Sequence, residues 1–529
     1  LAAACGNKQR RIVAQDQAPT PREQTKSQVE AVTGGAGTED AAAAGTPATA
    51  PAASVAAAAA ASTKRKKLNI IAVPAELKRQ VRRTSRQKIT SNGTIAAAVM
   101  VFAAIIALIV ANTDAYELVH ELLEEPIGLT LGPIHAELTI ESFVNDFLMA
   151  IFFLLVGIEL KYEMTVGELR KPRQAALPML AAVGGVAIPA LIYVAFNAHS
   201  GQLSGWAIPM ATDIAFALGV MSLLGKHVAP ATKVFFSTLA IADDILAILV
   251  IAVFYGHAPS IPWLAASAAC LVLLALFNHL QVYSCTRYVV VGLILWFCMF
   301  QSGIHATLAG VLLALFLPAK SDIRLSQLRP WLADKSRELD NEYNDNMHVL
   351  GQHEFTHTSY GIERVMHRVT PPLERVERAI TVPVNFVILP LFAFVNAQVR
   401  LVGVDPLAVL LDPVTLGSYF GAILGKPLGI IGVTLILVKI GFAKLPRGVD
   451  WSQIVGVGIM GGLGFTMSIL IAGLAFTQAS EVLAAKVAIL LGSLTAGVVG
   501  AIYILIAGKI KEARLESKAH TGGATPHKD

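Results

Sequence analysis

Leu239-Ala240-Ile241-Ala242-Asp243-Asp244-Ile245-Leu246-Ala247-Ile248 sets two adjacent carboxylates in the middle of an apolar block that runs over residues 231–255. A helix needs about 20 residues at about 1.5 Å rise each to cross a bilayer. The block is long enough to do so, and the two aspartates then lie near its centre. A charged side chain there costs roughly 2.5–3.5 kcal/mol. The same holds for Asp213 near the middle of the apolar block 206–224 and for Lys426 within 414–438. Four such groups cost on the order of 10 kcal/mol, comparable with the net stability of a whole domain. Salt bridging between helices does not explain that expense. Three carboxylates and one ammonium leave an uncompensated negative charge, which protons or a cation must balance.

Composition agrees with a membrane chain. Of 529 residues, 54% are hydrophobic and 15% charged, against about 25% charged in soluble domains. The net charge of +5 is small and gathers in flanks and loops, which excludes a nucleic-acid binder. Cys270, Cys285 and Cys298 lie in or beside apolar blocks and Cys5 in the N-terminal tail, a pattern with neither a disulfide framework nor paired metal-ligand spacing.

Apolar blocks bounded by charge or by Gly and Pro predict about twelve spans: 94–112, 142–160, 176–197, 206–224, 231–255, 261–278, 287–301, 303–318, 380–399, 414–438, 451–475 and 484–507. Twelve is preferred because the flanking charges then alternate. Lys64, Arg65, Lys66, Lys67, Arg82 and Arg83 precede the first span, and Lys161, Arg170, Lys171 and Arg173 follow the second. Lys226 and Lys233 follow the fourth, and Lys439, Lys444 and Arg447 the tenth. Loop 113–141 holds Asp114, Glu117, Glu121, Glu124, Glu125, Glu137 and Glu141 and no Lys or Arg. The positive-inside rule then puts both termini and the long loop 319–379 in the cytoplasm. The expected organisation is a disordered Ala/Pro-rich tail over 1–90, a transmembrane domain over 91–510 and a disordered tail over 511–529.

Two spans carry helix breakers. Pro209 stands just before Thr212 and Asp213, and Gly456, Gly458, Gly461, Gly462 and Gly464 precede Phe465-Thr466-Met467-Ser468. Interrupted segments in corresponding positions of two halves point to an inverted-repeat transporter with its site at the bilayer midplane. Small residues can also serve close helix packing. Asp213 beside a break favours the first reading, because a carboxylate offsets the partial positive charge of a half-helix N-terminus.

Adjacent helical positions point about 100° apart, so one aspartate of the pair can face an aqueous cavity while the other reaches toward Lys426. Two carboxylates about 6 Å apart at an effective dielectric near 20 repel by roughly 3 kcal/mol. A proton relieves that repulsion, and so does a small hard cation, which oxygen ligands suit. Two ions competing for one site is the core of an exchanger.

The sequence resembles the NhaA-type sodium/proton antiporters. The resemblance rests on Val144-Asn145-Asp146 through Gly157-Ile158-Glu159, Gly205-Trp206-Ala207-Ile208-Pro209 through Leu218-Gly219, and Leu239 through Asp244. It continues through Ser302-Gly303-Ile304-His305-Ala306-Thr307-Leu308-Ala309-Gly310, Leu389-Pro390-Leu391-Phe392-Ala393-Phe394, Gly425-Lys426-Pro427-Leu428-Gly429 and Gly464-Phe465-Thr466-Met467-Ser468. These stretches run in family order over about residues 90–508. The resemblance implies an all-α integral membrane fold with inverted repeats and two discontinuous helices, 206–224 and 451–475, that cross. It implies electrogenic exchange of one sodium or lithium ion for two protons in a bacterial cytoplasmic membrane, with no cofactor besides the transported ions and no enzymatic activity. By position Asp244 looks like the principal cation ligand and Asp243 the proton-linked partner of Lys426, the two forming the metal site for the transported ion. Asp213 and Thr212 match the crossing. Glu159, Glu163, His305 and Glu377 fall where the family places groups that make activity pH-dependent, although a histidine at a helix end also serves as a plain hydrogen-bonding residue. A hairpin over Ile127 to Ile140 matches the element through which relatives form a homodimer. The implied partners are thus the bilayer and a second copy, with no nucleic acid or protein substrate. Tyr162 stands where many relatives have Arg, Gln398 where a Gly is usual, and loop 319–379 is longer than typical.

That loop contains His353-Glu354-Phe355-Thr356-His357, which matches the zinc-protease pattern H-E-x-x-H. Gly351 before it, Ser359-Tyr360-Gly361 after it and the β-branched Thr356 within it argue against the helix that pattern requires. A cation-coupled symporter of an organic solute is the nearer rival. It needs a larger cavity with solute-binding polar groups, which the spans do not offer.

Overall fold

The structure is a computed structural model that describes residues 93–131, 134–167, 170, 172–256, 259–446 and 448–522. The tail 1–90 lies outside the described residues, as do 523–529. Among the described residues, ten helices are long and apolar enough to cross a membrane: Gly93–Ala111, Ile140–Thr165, Ala175–Asn197, Leu203–Leu223, Pro230–Phe254, Ile261–His279, Cys285–Ser302, Pro372–Asn396, Pro413–Lys439 and Ala479–Ala513. An eleventh crossing is made by two helices, Trp451–Met460 and Phe465–Ala475, bent by 42° at their break. The chain is an all-α integral membrane protein.

The expected span 303–318 takes a different form. Its helix, Leu308–Phe316, has only 9 residues. Gly303 ends the preceding helix in the left-handed region at φ 84°, and the chain reaches Leu308 through irregular backbone. A helix this short leaves its C-terminal carbonyls inside the protein, where they need donors. Lys161 supplies them, its Nζ donating to the carbonyls of Leu315 at 2.7 Å and Leu317 at 2.5 Å. Gly310 lets this helix approach Ile140–Thr165 closely: a Cβ there would lie 2.0 Å from the Ala150 carbonyl oxygen.

Residues 319–379, expected as a connecting loop, form two helices, Leu325–Glu342 and His353–Val369, before the next span begins at Pro372. The H-E-x-x-H stretch therefore does lie on a helix. Thr356 does not interrupt it, because its hydroxyl bonds the carbonyls of Gln352 and His353, both at 3.0 Å. Buried Gln352 secures the connection by donating to the carbonyls of Asn344 and Met347, each at 2.8 Å. The last helix runs on from the membrane to Gly522. Strands Pro126–Leu131 and Ile134–Thr139 pair antiparallel from Pro126↔Thr139 to Leu131↔Ile134, which is the hairpin expected over Ile127 to Ile140.

Burial distinguishes the spans. In Pro230–Phe254, which carries the aspartate pair, 61% of the apolar window is buried, against 11% in Ile261–His279. The first is the central helix of the molecule and the second a lipid-facing one.

Candidate cation-exchange site

The first broken helix owes its shape to Pro209. Leu203–Met210 winds as a 3-10 helix, and Ala211 is extended at φ −76°, ψ 151°. An α-helix resumes only at Ile214, with Asp213 as its N-cap. The second breaks over Gly461–Gly464, between Met460 and Phe465. The two breaks cross, and each satisfies the other's open backbone groups. Asp213 N donates to the Leu463 carbonyl at 2.6 Å, Thr212 Oγ1 to the Gly461 carbonyl at 2.9 Å, and Ser468 Oγ to the Ile208 carbonyl at 2.8 Å. Irregular backbone at membrane depth is tolerated only when buried in protein like this. Gly464 is required by the close approach, since a Cβ there would stand 2.3 Å from Ser468 Oγ and 2.9 Å from the Ala211 carbonyl oxygen.

Asp213 serves both half-helices. Its Oδ1 accepts from Phe216 N at 3.0 Å, while Oδ2 accepts from Thr466 Oγ1 at 2.7 Å and from Thr466 N at 3.3 Å. The carboxylate thus sits between two helix N-termini, whose partial positive charges favour it. Thr466, absent from the expected site residues, is the second half of this arrangement. Its signal in the sequence is a hydroxyl residue two places after the last glycine of the break, at the start of a helix.

Lys426 is wholly buried, and its Nζ donates to Asp243 Oδ2 at 2.6 Å and to Thr212 Oγ1 at 2.9 Å. A π-helical stretch, Gly421–Gly425, directly precedes it. Asp213, Asp243 and Asp244 are 3%, 1% and 2% exposed. The structure therefore brings together Asp213, Asp243, Asp244, Thr212 and Lys426. Asp243 has the lysine. Asp244 has Asp243, Asp213 and Glu159 as like-charged neighbours, against Lys426 alone as a counter-charge. Oδ1 of Asp243 and Oδ1 of Asp244 are buried without a hydrogen-bond partner among the described residues. A buried carboxylate oxygen in that condition calls for a proton or a cation.

No three of the described His, Cys, Asp and Glu residues converge closely enough to cage a metal ion on their own. Asp213 is committed to Thr466 and Phe216, and Asp243 to Lys426. A cation at Asp244 would therefore complete its shell with hydroxyl, carbonyl or water oxygens. His353 and His357, both exposed and one turn apart at the start of their helix, also have no third ligand of these types beside them among the described residues.

The remaining expected residues divide. Glu159 has Glu377 and Glu163 as charged neighbours, so three acids from two spans share one region. His305 lies apart, its Nε2 2.8 Å from the Tyr255 carbonyl oxygen. It lines a cavity with Asp146, which precedes Glu159 on the same helix by about 20 Å of rise.

Residues 87–504 match the pattern of the Na+/H+ antiporter 1 family. The chain is 41% identical over 417 residues to the Na(+)/H(+) antiporter NhaA of Helicobacter acinonychis, covering 77% of this chain and 92% of that protein. It is 42% identical over 404 residues to the protein of the same name from Oleidesulfovibrio alaskensis, covering 76% of this chain and 89% of the relative. Against the Na(+)/H(+) antiporter NhaA 2 of Helicobacter hepaticus the figures are 41% over 416 residues, 77% and 92%. The chain belongs to the Na+/H+ antiporter 1 family.

Proposed function

We propose that this chain exchanges sodium or lithium for protons by letting them compete for Asp244 and its neighbours at the helix crossing. The chain is a sodium/proton antiporter, a secondary transporter rather than an enzyme. The observation that carries the mechanism is the charge balance at the crossing: three buried carboxylates, one buried ammonium, and two carboxylates, Asp213 and Asp244, that the ammonium does not reach by a hydrogen bond, of which Asp244 keeps a buried oxygen without a partner among the described residues.

Asp244 is the principal ligand, assisted by the Thr212 hydroxyl and by the nearby negative charge of Asp213. Asp243 carries the proton-linked half of the cycle through Lys426. When a cation binds Asp244, the carboxylates give up protons, and binding of protons expels the cation. The exchange of two protons for one monovalent cation, which the family resemblance implies, makes the cycle electrogenic. Asp213, fixed between two half-helix N-termini, ties the site to the elements that must move in alternating access. Glu159, Glu163 and Glu377 form an acidic group about four to five turns from Asp146, on the side where the charge rule puts the cytoplasm, and make the rate depend on pH. His305 would contribute separately.

The flanking charges support a bacterial cytoplasmic membrane with both termini inside. The free edges of the hairpin Pro126–Leu131 and Ile134–Thr139 suit pairing with a second copy. Removing residues 126–139 should then convert dimers to monomers in native mass measurements.

Transport in everted vesicles tests the exchange. Adding sodium should collapse a preformed pH gradient with no organic solute present, and Asp243→Asn and Asp244→Asn should not do so. A need for an organic solute would establish the symporter instead.

A further inference from the structure

Five segments bring one end to the same place: the start of Ile140–Thr165, the stretch after Cys285–Ser302, the end of Pro372–Asn396, the end of Phe465–Ala475 and the start of the last helix. Their lining encloses about 370 Å³ and includes Asp146, His305, Thr307 and Lys486. The alternation of flanking charges puts all five ends on the outer side. At its inner wall stand Asn145 and Asn396, from residues 251 apart in the chain, with Asn396 Nδ2 donating to Asn145 Oδ1 at 2.7 Å and Asn145 Nδ2 to Asn396 Oδ1 at 3.4 Å. Asn396 Nδ2 also donates to the Phe392 carbonyl at 3.1 Å. Ile469 and Leu470 line the cavity beside the pair, and Met467, about one turn further along the same helix toward the crossing, is buried together with Val144, Phe153 and Phe392. Met467 directly follows Thr466, which holds Asp213.

We infer that Asn145 and Asn396 are the outer latch of the exchange path, holding closed the apolar plug between this cavity and the helix crossing. This rests on the exchange path running through Asp213, Asp243 and Asp244. Three features suit the pair to that task. A neutral amide pair can open without leaving a charge unpaired. Its freed Oδ1 atoms are the hard oxygen ligands a departing alkali cation takes in place of water. And Asn145 lies inside the π-helical stretch Phe143–Leu148, a form frequent at functional sites. Return of that stretch to α-helical bonding shifts the register by one residue, a rotation of about 100°, which carries Asn145 away from Asn396. The pair positions the helices and does not hold the cation in the closed state.

Thiol accessibility tests the latch without requiring turnover. In a full-length chain with all four native cysteines replaced by serine, Gly473→Cys reports the cavity and Met467→Cys the plug behind the latch. Gly473 has open space for a side chain. A membrane-impermeant maleimide applied from outside should label Gly473→Cys readily and Met467→Cys slowly. Asn145→Ala with Asn396→Ala should speed labelling of Met467→Cys by about tenfold, the shift that loss of one neutral hydrogen bond produces, and leave Gly473→Cys unchanged. If the double alanine variant is not monodisperse in detergent, Asn396→Ser replaces it. Unchanged labelling of Met467→Cys overturns the latch, and failure of Gly473→Cys to label from outside overturns the cavity's place on the path. Exchange retained in Asp244→Asn would instead refute the site reading, and the labelling rates separate the two outcomes.

Discussion

The helix crossing and the paired helices of residues 325–369 both gather acids and bases, under opposite physical conditions. Lys335 pairs with Glu338 with side chains 30% and 39% exposed, while Lys426 pairs with Asp243 at 0% and 1%. In the first region the hydrogen bond from Lys335 holds Glu338 below the usual carboxylate range, but water would serve either group nearly as well. In the second, each charge depends on its protein partners, and the carboxylate without one needs a passing ion. A charged residue in water says little about function. The same residue within an apolar span must have a reason.

The sharpest way to break this contrast is at Asp244. Asp244→Asn keeps the side chain's size and removes the charge that draws the cation, so sodium-dependent collapse of a pH gradient in everted vesicles should fall to background. Retained exchange would mean that the unpaired carboxylate is not the ligand and that the crossing is as uninformative as the surface.

Lys426→Ala should come next in effect. It strips Asp243 Oδ2 of its donor and leaves a carboxylate unpaired in a dry site, a cost of about 3–5 kcal/mol. The expected result is a clearly lower melting temperature in detergent together with a changed pH profile of exchange. Combining it with Asp243→Asn should restore part of the stability, since the charge that Lys426 neutralised is then gone as well. Equal melting of the wild type and Lys426→Ala would show the pair to be dispensable.

Gly464→Ala sharpens the geometric half of the comparison. Its Cβ meets Ser468 Oγ, already bonded to the Ile208 carbonyl, and the Ala211 carbonyl oxygen. Forcing the two breaks apart should cost about 1–3 kcal/mol and slow exchange. A glycine without such neighbours, Gly432, should accept the same change silently.

What the sequence made legible follows the same division. Asp213, Asp243, Asp244 and Lys426 could be read because a charge inside an apolar run is a local signal, and Pro209 and the glycines of 456–464 mark the breaks equally locally. The 3-10 winding of Leu203–Met210 and the π-helical stretches were not legible, because hydrogen-bond register within a helix is settled by packing from outside it. Nor was the pairing of Asn145 with Asn396, which nothing local announces. Leu308–Phe316 was read as a full span because composition does not reveal that the left-handed turn at Gly303 leaves residues 303–307 irregular and delays the helix to Leu308. Residues 325–369 escaped notice as helices because their amphipathic pattern lies in a charged stretch that reads as a loop.

The smallest effect should come from the most recognisable motif. His353→Ala removes half of an H-E-x-x-H pair that stands on a helix, as the zinc-protease pattern demands. The helix alone does not make a site, since zinc takes three or four protein ligands and no third His, Cys, Asp or Glu joins the pair among the described residues. Both histidines are exposed, and surface substitutions of this kind change stability by less than about 0.5 kcal/mol. Melting temperature, zinc content after purification and exchange rate should therefore all match the wild type. Stoichiometric zinc in the wild type that disappears in His353→Ala would reverse the comparison, and would make the water-exposed helices a second functional region.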